Sequence, residues 1–514
     1  MAQTHQRALD HSHHLSLLSR SRTGSPLKGL AKYWGQPNII SLAGGFPHHQ
    51  YFPFATVGGQ VYPADSFPLS ALSSDPQTVN RFNQGVDDSG LQELSIPKLG
   101  TSINLASALQ YSLAQGIQPL RQFVHDFTER IFQPSYSDWT TFLHAGNTDA
   151  LATLVDTLFD PGQGYFTEEF SYPSAQATAV PHGVKPVAVA MDAQGLRADD
   201  LRRQCVGWDS SLHGGMSRPH VLYTVPIGQN PCGTCMGVQR KKDIYDVCVE
   251  FDIIIIEDDP YYFLQQEHYV PSDARHTVST SLEDDSDEQF LSKLEPSFLS
   301  FDVQGRVIRL DSFSKTVAPG SRLGWFTCAP LFAERIERQT EVSTQNPCGF
   351  GQALIGQLMA EQWKINGYIR WLRGLRAQYT ARRDYAVDCI TEAFDIVGRE
   401  EAGTRVFICS AGGKSLFEFV PPRGGMFLWM ALHLQNHPQA SGPPSEELAD
   451  RLERDIWTHL AENGLLVTPG WYFNAAELKG KGHFRISFSF SEADELRRAI
   501  QIFASVIKEV FNAV

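Results

Sequence analysis

Residues 252–260 read DIIIIEDDP, a run of four isoleucines closed by three acids and a proline. A strand that is apolar on both faces needs cover on both, as in the middle of a mainly parallel sheet flanked by helices. The neighbouring chain repeats the theme. WTTFLHA, GYFTEE, HVLYTVP, RVIRLDSF and WFTCAP read as strands; GIQPLRQFVHDFTERIF, DALATLVDTLF and VQRKKDIYDVCVEF read as helices between them. This alternation predicts an α/β domain with helices on both faces of its sheet. Ligands in such a sheet gather where the strands end. HAGNT, TVPIGQNP, IIIIEDDPYY and RLDSFSK fall at those ends.

The chain has 514 residues, enough for roughly two or three domains. Residues 1–38 read as a flexible arm with a helix-like SPLKGLAKYW. Residues 39–104, opening on the expected strand NIISL, read as a linker and part of a small domain. The large domain is expected over 105–375. A smaller α+β domain is expected over 376–514, with GGMFLWMAL, GLLVTPG and HFRISFSF as strands and ADELRRAIQIFASVIKEVF as the last helix. Segments 193–219, 265–296 and 398–418 read as surface insertions, the second carrying the acidic run SLEDDSDEQ.

A formal net charge of −14 argues against a nucleic-acid surface. No apolar run approaches the roughly 20 residues that span a bilayer. The polar N-terminus has no apolar signal core, so a cytoplasmic enzyme is expected. Eight cysteines are too sparse for a disulfide scaffold. Cys232 and Cys235 form a CxxC without a second pair, so no metal centre is expected there. His5, His11, His13 and His14 could hold a metal, but their polar setting reads as a terminal tail.

RLDSFSKTVAPGSRLGWF, residues 309–326, carries the chemistry. Ser312, Ser314, Lys315 and Arg322 bring two hydroxyls and two cations to one strand end, a setting for a phosphate. Lysine also forms Schiff bases with carbonyls. Gly146, Asn147 and Thr148 open a helix whose free N–H groups suit the same anion, or merely cap it. Asp258 ends the isoleucine strand, either paired inward or turned to solvent. One ligand accommodates all of these groups together with Asn230 and Tyr261: pyridoxal phosphate. Asp258 would keep its pyridine nitrogen protonated, Asn230 and Tyr261 would hold its phenolic oxygen, and Lys315 would bind its aldehyde as a Schiff base.

The order GNT, NPxG, DDPYY, SFSK and GxRLG resembles the fold type I pyridoxal-phosphate aminotransferases. ISLAGGFP, ALQYSLAQGIQPLR, YTVPIGQNPCG, PRGGMFLWM and HFRISFS further resemble the aromatic and kynurenine/aminoadipate subgroup, over roughly residues 38 to 510. The resemblance implies Asn147 and Thr148 at the phosphate and Tyr172 stacked on the cofactor ring. It implies Tyr111 reaching the phosphate of a neighbouring subunit, hence a homodimer. Arg485 would clamp the substrate carboxylate and Gly45 would line the pocket. NPCG stands where NPTG is usual, and APGSRLG where a small-residue turn is usual; neither removes a cofactor-binding side chain.

The function expected is transfer of an amino group from an aromatic L-amino acid to a 2-oxo acid, with Lys315, Asp258 and Tyr261 as the catalytic groups. A β-eliminating lyase on the same cofactor and a non-catalytic regulator are the alternatives, the last lacking any helix-turn-helix pattern. LAGGFPHHQYFPF and LAKYW, rich in aromatic residues and poor in arginine, favour an aromatic side chain in the pocket.

Overall fold

The computed structural model describes residues 6–26, 28–33, 36–40, 42–69, 90–277, 285–401, 403–477 and 479–513. An N-terminal hairpin pairs β1 (Thr56–Val61) with β2 (Gln92–Pro97). The main sheet has seven strands in the order β3 (Thr140–His144), β9 (Gly324–Cys328), β8 (Val307–Ser312), β7 (Ile254–Asp258), β6 (Val221–Thr224), β4 (Gly164–Glu168) and β5 (Lys185–Val189). Only β9 runs antiparallel to its neighbours.

The isoleucine strand sits in the middle of that sheet, and its period of two sorts side chains to opposite faces. Ile255 joins Phe166, Leu222 and Val307 in one core. Ile254 and Ile256 join Tyr165, Tyr223, Ile308 and Leu310 in the other. Cover on both faces is thus met by helices, among them α1 (Gln118–Phe132) and α2 (Asn147–Leu158).

A second sheet is antiparallel throughout, in the order β10 (Asp395–Glu401), β11 (Thr404–Ala411), β12 (Lys414–Phe419), β13 (Phe427–Leu432), β15 (His483–Ser487) and β14 (Thr468–Pro469). It packs on the C-terminal helix Ala493–Val510. The helix Lys364–Ala393 joins the two bodies. Its Tyr368, Ile369 and Leu372 lie in the large core, and its Ala386, Val387 and Ile390 lie in the small one. A division at residue 375 falls inside this helix.

The structure corrects several expectations. Segment 398–418 is no surface insertion: it supplies β11 and β12, with Phe407, Cys409, Leu416 and Phe417 buried. Its alternation around Gly412-Gly413, both at positive φ, is a hairpin pattern. Within 193–219, the helix Ala198–Val206 buries Leu201 and Cys205. Within 265–296, the helix Asp287–Ser292 buries Phe290; residues 278–284, part of the acidic run, lie outside the described residues. Residues 39, 40 and 42 of the expected strand NIISL form no strand, and Ile40 and Leu42 are 91% and 94% exposed. Leu94 and Ile96 of β2 pack with Leu105, Leu120 and Phe123, so the hairpin belongs to the large core and not to the small domain.

Nor is the N-terminal arm free. Leu15 is buried in the large domain, Ser16 Oγ donates to Asp156 O at 2.5 Å, and Ala8 N donates to Asp138 Oδ1 at 2.9 Å. The helix-like stretch near residue 30 is a 3-10 turn, Lys28–Tyr33.

Candidate active site

Parallel strands end on the same edge, and this edge gathers the predicted groups. Asp258 ends β7 beside Leu310 of β8, and Ser312 closes β8. Asn147 opens α2 directly after β3, and Asn230 lies on the loop after β6. A cavity of about 330 Å³ forms there. Asn147, Thr148, Tyr172, Asn230, Asp258, Tyr261, Ser312, Ser314, Lys315, Arg322 and Arg485 all line it.

Asp258 is buried and turned inward. It accepts from Asn147 Nδ2 at 2.6 Å and from Tyr223 Oη at 2.8 Å. Burial pushes its carboxyl up from the usual range, and those two hydrogen bonds oppose the shift. Arg309, the cation behind it, is committed to Glu257, Asp259 and Asp311 at 2.9–3.2 Å. Asp258 therefore retains an unmet demand for a cationic donor. The Asn147 side chain, expected at the phosphate, is spent on Asp258 instead; its Oδ1 is buried without a partner.

At the other end, Ser312 Oγ donates to Ser314 Oγ at 2.9 Å and accepts from Ser314 N at 3.0 Å. Arg322, in the left-handed region at φ 45°, donates from Nη1 to Pro319 O at 3.1 Å. Gly146 has φ 99°, and a Cβ there would collide with the Arg322 guanidinium. Glycine is the residue that lets backbone and arginine meet. Lys315 Nζ lies 6.0 Å from the centre of the Tyr261 ring. Burial, then Arg485 and Arg322, lower its pKa. Burial raises that of Tyr261.

Arg485 comes from β15 of the smaller sheet. Its Nη1 donates to Asn230 Oδ1 at 2.6 Å and its Nη2 to Thr468 Oγ1 at 3.2 Å, while Nε is buried without a partner. The guanidinium carbon lies 4.2 Å from the Phe427 ring centre and 4.9 Å from that of Phe473. Gly228 and Gly425, both at positive φ, bring the Asn230 loop against β13; a Cβ on Gly425 would stand 2.7 Å from Gly228 O.

Gly45, expected to line the pocket, is absent from the cavity, and Tyr111, expected at the phosphate of a neighbouring subunit, lies outside this one. Gly45 and Tyr111 line a separate hollow with Phe46 and Lys28, and Tyr111 is 54% exposed. Tyr223, Thr468, Phe427 and Phe473 escaped the sequence reading. A lone tyrosine in the apolar strand HVLYTVP was the available signal for the first; the others had none. Burial pushes the Cys235 thiol up to about 11 and that of Cys232 well above its ordinary value, so neither is poised as a thiolate.

The lining carries Lys315, Arg322 and Arg485 against one carboxylate, an excess of two positive charges in a chain of net charge −14. Three crowded cations call for an anion, and Asp258 calls for a cationic donor. A phosphate and a pyridinium on one molecule meet both demands, so the residues present fit pyridoxal phosphate. With the sheet that carries it, this charge layout places the protein among the pyridoxal-phosphate enzymes of fold type I.

Comparison with known proteins narrows the class. Residues 107–503 match the family model described as aminotransferase class I and II, and the chain belongs to that family. It is 35% identical to an aromatic amino acid aminotransferase of Schizosaccharomyces pombe over 98% of both chains. It is 31% identical to an L-tyrosine:2-oxoglutarate aminotransferase of Tapinella panuoides over 98% of this chain and 97% of the other. The crystal structure of aminotransferase Aro8 from Candida albicans superposes with a TM-score of 0.84, at 33% identity, covering 99% of this chain and all of that one.

Proposed function

We propose that this aminotransferase takes aromatic L-amino acids as donors and passes the amino group to a 2-oxo acid. The charge count of the cavity carries this reading. Lys315 and Arg322 serve the cofactor, which leaves Arg485 for a single substrate carboxylate. A dedicated dicarboxylate pocket would want a second cation. The ring of Phe427, beside Arg485, lines the same space and suits an aromatic side chain. The names of the relatives from Schizosaccharomyces pombe and Tapinella panuoides support the same donor class.

In this reading Ser312, Ser314, Arg322 and the backbone at residues 146–148 hold the phosphate, and Tyr172 lies against the ring. Asp258 holds a proton on the ring nitrogen, while Asn147 and Tyr223 hold Asp258. Asn230 and Tyr261 orient the phenolic oxygen. Pyridoxal phosphate, when bound, supplies a ring that withdraws negative charge from the substrate α-carbon. Lys315 would carry the cofactor covalently until the amine of the substrate displaces it. The freed Nζ, whose lowered pKa raises its neutral fraction, can then take the proton leaving the α-carbon and return it. Arg485 fixes the carboxylate so that this carbon faces Nζ.

Gly45 and Tyr111 sit outside the cavity, and Ile40 and Leu42, a few residues before Gly45, are exposed, which supports a homodimer in which a neighbouring copy completes the site. Light scattering should return about twice the 57.3 kDa chain mass. A cytoplasmic location is supported by eight free cysteines, six of them buried, and by the lack of any described helix long and apolar enough to cross a membrane. The donor assignment rests on kcat/KM for phenylalanine, tyrosine, tryptophan, kynurenine, 2-aminoadipate and aspartate with one acceptor. Aspartate or 2-aminoadipate outrunning every aromatic donor would reject it.

A further inference from the structure

A cluster of imidazoles surrounds one carboxylate where the N-terminal segment crosses the large domain. Asp252 stands at the start of β7, whose other end carries Asp258. Six residues of extended chain separate them by on the order of 20 Å, so this place is remote from the cofactor cavity. His11 and His14 are both buried there. His11 Nε2 lies 3.0 Å from Gln304 O, and its ring stacks on Phe332. That contact leaves Nδ1 for another partner. His13 Nε2 lies 2.6 Å from Asp252 Oδ2.

His14 is the odd member. Its Nδ1 faces Nδ1 of His220 at 3.1 Å, and its Nε2 lies 3.1 Å from Asp252 Oδ1. Yet Nε2 is buried and makes no hydrogen bond of acceptable direction. If His14 donates to His220, Nε2 aims a lone pair at a carboxylate, which is repulsive unless a cation lies between. If His220 donates, the Nε2 hydrogen is left without an aligned acceptor. A buried polar atom in either state costs free energy.

A neutral imidazole is the form that ligates metals. One ligand atom each from His11, His14 and Asp252 lies within 4.8 Å of the others. Ligands held about 2.0–2.1 Å from a tetrahedral zinc ion stand about 3.4 Å apart, so a small contraction closes the set. Arg306 is the competing charge, with Nη1 3.6 Å from Asp252 Oδ1. Its guanidinium is also tied to Ile253 O at 2.8 Å and to Gln304 Oε1 at 2.6 Å.

We propose that His11, His14 and Asp252 form a structural site for a divalent transition ion of the zinc type, pinning the N-terminal segment to the start of the central strand. His13, already on the second carboxylate oxygen, orients Asp252. Two imidazole nitrogens, one carboxylate oxygen and a water are a donor set that zinc accepts.

The test uses untagged, cofactor-loaded protein, stripped with a chelator that is then removed, and titrated with zinc chloride in equilibrium dialysis. One tightly bound zinc per chain is expected. His14→Ala and Asp252→Asn should each weaken it at least tenfold with near-normal transamination. His125→Ala should leave it intact, since His125, Asp126 and Glu129 form the other candidate cluster. X-ray absorption at the zinc edge should show about two imidazoles in the wild type, a readout that needs no variant to fold. Zinc bound equally well by His14→Ala, a shell without imidazole, or no stoichiometric zinc each overturns the proposal.

Discussion

Asn230 Oδ1 and Arg485 Nη1 lie 2.6 Å apart across 255 residues of sequence. One belongs to the loop after β6 of the large sheet and the other to β15 of the small one. This hydrogen bond therefore exists only when the two bodies are docked, and in the proposed function, where Arg485 seats the substrate carboxylate, Asn230 would aim the guanidinium.

Arg485→Leu should cost on the order of 100-fold or more in kcat/KM. It removes up to two charge-assisted hydrogen bonds to the carboxylate, each worth about 1.5–3 kcal/mol. Asn230→Ala, which loses one orienting contact, should cost about 10-fold. An unchanged kcat/KM in Arg485→Leu would show that the carboxylate binds elsewhere.

Asp258→Asn should lower kcat by orders of magnitude while the protein remains folded, since among the described residues no other carboxylate lines the cavity. Tyr223→Phe removes one hydrogen bond to Asp258 and nothing from the substrate. Its kcat should fall about 10-fold with KM nearly unchanged, a split that general loosening of the core would not give. Equal effects on both constants would count against a positioning role.

Lys315→Ala should fold, bind the cofactor without covalent attachment, and lose turnover. After borohydride reduction of the wild type, mass spectrometry should find the pyridoxyl group on Lys315. Recovery of the label on another lysine would move the assignment there.

Acid should destabilise this protein through its buried histidines. Burial depresses the pKa of His14, His220 and His483 to about 4 and that of His144 to about 3, against 6.5 in the unfolded chain. Between those values the unfolded state binds protons that the folded state refuses. Stability is therefore full above pH 6.5 and falls as pH drops towards 4, by at most about 1.4 kcal/mol per pH unit for each group. Urea midpoints should fall clearly from pH 7.5 to 5, and His483→Gln should flatten the slope. A level profile over that range would mean that these histidines protonate without unfolding.

Much of the site was legible because its groups sit in short contiguous motifs at the ends of apolar strands. DIIIIEDDP read as a covered strand, with Asp258 at its end either paired inward or turned to solvent; RLDSFSK carried Ser312, Ser314 and Lys315 in seven residues. The hairpin at 404–419 was missed, although RVFICSAGGKSLFEF sets two apolar stretches on either side of two glycines. Its position inside a segment taken for an insertion hid it.

Local pattern determined the strands of the main sheet and which end of it would collect the polar groups, because backbone period and burial act over a few residues; it failed at NIISL and at 404–419. It could not decide what those groups would hold. Asn147 turned to Asp258 instead of the phosphate because Tyr223 and the β7–β8 register set the carboxylate within its reach. Gly45 and Tyr111, far apart in sequence, meet at a separate hollow outside the cavity. His11, His13 and His14, which in sequence read as a polar tail able to hold a metal, meet at Asp252 only because the segment docks there. Contacts between distant residues depend on how whole sheets and segments pack, and only the tertiary structure sets that.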